Sequence, residues 1–125
     1  MSRFLLLAGT AVMFLGVSAG AFGAHALSGY FERFPNLEGT YDTAVRYQLI
    51  HGLALLITAV IFAQMPTPQV RWAGNAFLIG TIIFSGSLYL LVLTRVRWLG
   101  AITPLGGAAF LAGWLLLFIA ALRNG

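Results

Sequence analysis

Cysteine and lysine are both absent from the 125-residue chain, and only three residues are acidic: Glu32, Glu38 and Asp42. Without cysteine there is no disulfide, no thiolate metal site and no thiol nucleophile. With so few carboxylates, and those close together in sequence, no acid–base pair or nucleophile–base spacing emerges, and the sequence predicts no enzyme. The seven basic residues are all arginine (Arg3, Arg33, Arg46, Arg71, Arg95, Arg97, Arg123), scattered singly or in one close pair. The net charge of +4 therefore reflects a shortage of acids, and the basic stripe that nucleic-acid binding needs is missing.

Apolar residues fill what the charges leave vacant. They make up 60% of the chain against roughly 45–50% in soluble domains, and charged residues 8% against roughly 25%. A soluble domain of this length could not hide so much apolar surface, so the bilayer is its natural solvent. Four runs are free of charge, counting histidine as neutral: Phe4–Phe31, Tyr47–Val70, Trp72–Thr94 and Trp98–Leu122. Each exceeds the ~20 residues a helix needs to cross about 30 Å of hydrocarbon. The sequence predicts one all-α domain over 1–125, an up-down-up-down bundle of four transmembrane helices at about 4–27, 41–64, 72–94 and 101–122. Positive-inside counting does not orient it. Three arginines fall on the side of the termini and four on the other.

Arg3, the apolar stretch after it and Val17-Ser18-Ala19 also fit a signal peptide with a small-residue cleavage site. The apolar run continues past Ala19 to Leu27, long enough to span, so a retained first helix is expected. Its Gly9, Gly16, Gly20 and Gly23 share one face and predict close packing against a neighbouring helix. Gly86, Gly106, Gly107 and Gly113 are expected to do the same for the last two helices.

The composition breaks in one stretch, Tyr41 to His51, where Asp42, Arg46, Tyr47, Gln48 and His51 crowd into a few helical turns. Ionisable groups in or near hydrocarbon are costly and call for a partner or a role. Thr40 is read as the N-cap of the second helix, with Asp42 in its first turn and Arg46 four residues on, within pairing reach. Alternating helix directions then bring the end of helix 1, the start of helix 2, the end of helix 3 and the start of helix 4 to one membrane side. The predicted polar pocket comprises His25, Arg46, Tyr47, Gln48, His51, Ser85, Ser87, Tyr89 and Thr103, and the opposite half is nearly dry.

Several segments are specific as ordered strings: Gly20-Ala21-Phe22-Gly23-Ala24-His25-Ala26-Leu27, the run from Thr43 to Leu56, Phe84-Ser85-Gly86-Ser87-Leu88-Tyr89-Leu90-Leu91, Ile102-Thr103-Pro104-Leu105-Gly106-Gly107 and Gly113-Trp114. On these the chain resembles the YgdD/YwdK-like family of small bacterial inner-membrane proteins, a domain of unknown function with small eukaryotic relatives. The resemblance implies a four-helix integral protein of the inner (plasma) membrane with a retained first helix, and implies no substrate. The family pattern suggests glycine where this chain has Arg95.

The expected function is therefore non-enzymatic. The chain packs with or helps assemble membrane components, or binds a lipid headgroup or small anion in its one-sided pocket, with Arg46, Tyr47, Gln48, His51 and His25 as the core of that pocket. The expected partners are membrane lipids, with a homo-oligomer or other membrane proteins beside them, and neither a cofactor nor a metal is expected. One alternative is transport of a small solute or protons by an oligomer. Another is haem or metal binding through His25 and His51, a thin ligand set without acids or cysteines.

Overall fold

The computed structural model describes residues 2–124. Among these the only regular structure is helical: α1 (Ser2–His25), α2 (Ser28–Arg33), α3 (Asn36–Gln64), α4 (Pro68–Thr94), a 3₁₀ turn (Arg97–Ala101) and α5 (Thr103–Asn124). Four of the helical segments are long and apolar enough to cross a membrane. Leaving α2 aside, successive helices run in opposite directions, giving the expected antiparallel bundle.

The helix boundaries differ from expectation where turn chemistry outweighs hydropathy. Residues 28–40, left between the first two predicted spans, hold α2 and the first turn of α3. Pro35 has φ −64° and ψ −25°, already helical, so α3 starts at Asn36 rather than Tyr41. The Leu37 amide donates to the Phe34 carbonyl and the Glu38 amide to the Pro35 carbonyl, carrying the chain around the corner. Phe31, Leu37 and Tyr41 are buried together with Val92 and hold the corner down. Thr40 is consequently no cap, and Asp42 lies beyond the first turn. α4 begins at Pro68, four residues before the expected Trp72. Thr67 caps it by accepting from the Val70 amide at 3.3 Å, with proline at the position that has no amide to satisfy. The lead-in to α5 folds as a 3₁₀ turn, so α5 starts at Thr103, close to the expected 101.

α3 and α4 form the centre of the bundle. The extensive contacts are α1 with α3, α3 with α4 and α4 with α5, so the outer helices flank the central pair without packing extensively on each other. In the half away from α2 the core is Leu5, Ala54, Leu55, Ala59, Ala73, Phe77 and Phe110, and the buried hydroxyls of Thr58 and Thr81 bond within their own helices. Small residues permit its tightness. A Cβ added at Gly113 would lie 2.6 Å from the Phe77 ring, and one at Gly9 2.8 Å from Leu56.

Most of the glycines read as packing positions lie close against a neighbouring helix. A Cβ at Gly16 would meet Leu49 at 2.8 Å, one at Gly20 would meet Val45 at 3.4 Å, and one at Gly23 would collide with the Tyr41 ring. At Gly106 the obstacle is the Phe84 backbone nitrogen, 2.5 Å away. Gly86 and Gly107 depart from the expectation. Neither has an atom within 4 Å of its added Cβ, because each sits one step round the helix from the buried stripe and faces open space.

Candidate functional site

The half of the bundle nearest α2 is held by hydrogen bonds between helices. Tyr41 is aimed across the α1–α3 interface, and its hydroxyl donates to the Ala19 carbonyl. Two turns further in, the Gln48 amide nitrogen donates to the Val12 carbonyl at 3.0 Å. The Gln48 carbonyl oxygen accepts from the Tyr89 hydroxyl at 2.6 Å, which ties α1, α3 and α4 through one side chain. Ser85 donates to the Ala44 carbonyl at 2.7 Å, and Ser87 shares a 2.6 Å bond with Thr103 that joins α4 to α5. Tyr30 of α2 donates to the Val92 carbonyl at 2.6 Å.

At mid-depth His51, only 4% exposed, stacks on Phe110 with ring centroids 3.6 Å apart. The Trp114 indole N–H can only donate, so His51 Nε2, 3.1 Å away, accepts and carries no proton. Its Nδ1–H then donates to the Tyr47 carbonyl at 3.0 Å. This assigns a neutral imidazole with both nitrogens engaged. No buried polar side-chain atom among the described residues lacks a partner.

Of the predicted pocket, Gln48, His51, Ser85, Ser87, Tyr89 and Thr103 are brought together in this interlock, while Tyr47 lines its lipid-facing edge and is 37% exposed. Arg46 and His25 lie outside it, both exposed. Arg46 follows Val45, which packs towards α1, and precedes Tyr47, which faces α5. The 100° step between residues turns Arg46 outward to the lipid, where it can extend along the surface to the headgroups. His25 ends α1, whereas Gly52, next to His51, abuts Val12 and Met13. A dozen residues of helix, about 18 Å, thus separate the two histidines in depth, too far to share a haem or a metal. No group of three potential metal-ligating side chains occurs among the described residues.

Above the interlock, at the level of α2, a depression of about 360 Å³ is lined by Phe34, Asn36, Leu37, Thr40, Leu91, Arg95 and Arg97. The Arg95 guanidinium lies 4.5 Å from the Phe34 ring centroid, and that of Arg33 lies 5.5 Å from the same ring. Two guanidinium groups thus flank one aromatic ring, Arg97 joins Arg95 in lining the depression, and no carboxylate does. Arg95 caps α4 in the left-handed conformation, φ 59°, the only non-glycine among the described residues with positive φ. A left-handed cap favours glycine, which is the physical sense of the glycine suggested at this position by the family resemblance.

A second depression, about 540 Å³, lies between α3 and α5 and is lined by Tyr47, His51, Phe84, Pro104, Gly107, Ala108, Phe110, Leu111 and Trp114. Sequence reasoning missed Trp114 and Tyr41 as members of the site. Tyr41 was discoverable, since it shares a helical face with Gln48. Trp114 also carried a signal: it lies deep within a spanning run, away from the headgroup level where tryptophan is usual, and its N–H needs an acceptor.

The family model for a protein of unknown function, DUF423, matches residues 19–107. This stretch holds all of the interlock except Val12, Phe110 and Trp114. The chain belongs to the DUF423 family. A UPF0382 membrane protein of Staphylococcus haemolyticus (strain JCSC1435) is 44% identical over 123 residues, covering 98% of each chain. The UPF0382 inner membrane protein YgdD of Escherichia coli (strain K12) is 40% identical over 125 residues, covering 98% of this chain and 92% of the relative. No solved structure matches. With four spans and relatives of this kind, this DUF423 member is a multi-pass protein of the cell inner membrane.

Proposed function

We propose that the protein is a non-enzymatic membrane component that binds a phosphate-type anion, a lipid headgroup or a free ion, at the interface of one leaflet. The supporting observation is the depression formed by Phe34, Arg95 and Arg97, with Arg33 across the ring and no carboxylate in its lining. Like charges held together repel, and an anion relieves that repulsion. Arginine suits phosphate because its fork of N–H groups bonds two oxygens at once. The hydrogen-bonded interlock is the framework, since its groups already satisfy one another and leave no donor free for a ligand. A solute path gains no support from the opposite half, where Leu5, Leu55, Val70 and Phe77 are fully buried against their neighbours.

The test is retention of anionic lipid through purification in a neutral detergent. Wild-type protein is expected to retain phosphatidylglycerol in preference to phosphatidylcholine, and the double variant R95A/R97A to lose that preference. Equal retention by wild type and variant overturns the reading.

A further inference from the structure

We infer that the anion at the arginine-lined depression is the headgroup of a complete anionic phospholipid, one of whose acyl chains lies in the cleft between α3 and α5. This rests on the headgroup reading above and extends it to the nature of the molecule bound. The two depressions stand one above the other. On α3, Leu37 and Thr40 line the upper one and Tyr47 and His51 the lower, and all four share a helical face. On α4, Leu91 lies above and Phe84 two turns below, also on one face. Along these shared faces the charge lies above and a largely apolar, aromatic wall below.

The length of the cleft fits one leaflet. Its α5 wall runs from Pro104 to Trp114, which at 1.5 Å per residue is about 15 Å, half of a ~30 Å hydrocarbon core. Its floor is a continuous aromatic surface: Tyr47 lies 4.5 Å from Phe84 between ring centroids, Phe84 lies 5.4 Å from Phe110, and Phe110 stacks on His51. The α3 and α5 backbones stay apart along this gap, and side chains such as His51, Phe110 and Trp114 bridge its floor. Gly107 keeps it open on the α5 side. Nothing lies within 4 Å of its added Cβ, so packing within the chain does not require a glycine there.

Arg95 supplies a second line of argument. It holds a left-handed backbone at a cap where glycine would sit without strain. Strain of this kind persists where a side chain serves a purpose, and here the side chain is a cation of the upper depression.

The test uses the full chain with Trp72 and Trp98 replaced by phenylalanine, leaving Trp114 as the only fluorophore of its kind. It is reconstituted in phosphatidylcholine vesicles containing a minor fraction of phosphatidylglycerol with brominated acyl chains, which quench tryptophan on contact. The control vesicles carry brominated phosphatidylcholine at the same fraction. Phosphatidylglycerol is expected to quench Trp114 more strongly. R95G is expected to lower that quenching to the phosphatidylcholine level, and G107L, which fills the cleft, to lower quenching by both lipids. R95G removes atoms and the Cβ of G107L meets no neighbour, and thermal unfolding of each variant verifies its fold. Equal quenching by the two lipids overturns the inference, as does an excess that survives G107L. If phosphatidylglycerol is retained selectively but quenches no better, the headgroup reading stands and the acyl assignment falls. Quenching by neither lipid means that a second copy or another protein fills the cleft, which also overturns it.

Discussion

The two halves of this bundle solve the same problem with different chemistry. Hydrocarbon surrounds both, so apolar burial gives helices little reason to prefer one another over lipid. Near α2, side chains reach across helix interfaces to neighbouring carbonyls and hydroxyls, as Gln48 does to Val12 and Tyr89. In the other half the hydroxyls turn inward on their own helices. Thr58 donates to Ala54 at 2.7 Å and Thr81 to Phe77 at 2.8 Å, each four residues back. Cohesion there comes from close approach, with Leu5 seated on Gly74 and Phe77 on Gly113. Directional bonds fix register, whereas contact across small residues supplies dispersion energy in proportion to atoms touched. The arginine-lined depression stands at the end of the directional half.

Substitutions in the two halves should separate these contributions. The largest effect is expected from F77A, which empties the centre of the dry core and should cost about 3 kcal/mol in reversible unfolding in detergent. G106V should follow at about 2 kcal/mol, because its side chain would strike the Phe84 backbone, which cannot rotate aside. S85A removes one interhelical donor and leaves the Ala44 carbonyl in its helical bond, so about 0.6 kcal/mol is expected. R46A should change stability by less than about 0.5 kcal/mol, since the side chain faces outward. A loss from R46A as large as that from F77A would mean that Arg46 belongs to the interior and that the division of the bundle is misplaced.

The four spans were legible because charge is excluded from runs of the right length. The polar half was legible because reversing direction at each turn can gather those side chains only at one end. The facing of single residues was not. Helices that are apolar all round give no stripe to orient them, so Arg46 and Gln48, two residues apart, read alike, although one faces lipid and the other ties three helices. Acceptors such as the Val12, Ala19 and Ala44 carbonyls leave no trace in residue identity, because every position carries one. The arginine cluster around Phe34 depended on the fold of the α2 corner, where the chain breaks at Phe34 and Pro35 opens a new helix earlier than hydropathy placed it.

The interlock of the polar half is most directly tested by a double-mutant cycle between Gln48 and Tyr89, comparing Q48L, Y89F and the pair for unfolding in detergent. A coupling of about 0.6–1.7 kcal/mol is predicted, the range found for hydrogen bonds between membrane helices. Strict additivity, with each substitution costing the same whether or not the other is present, would contradict it.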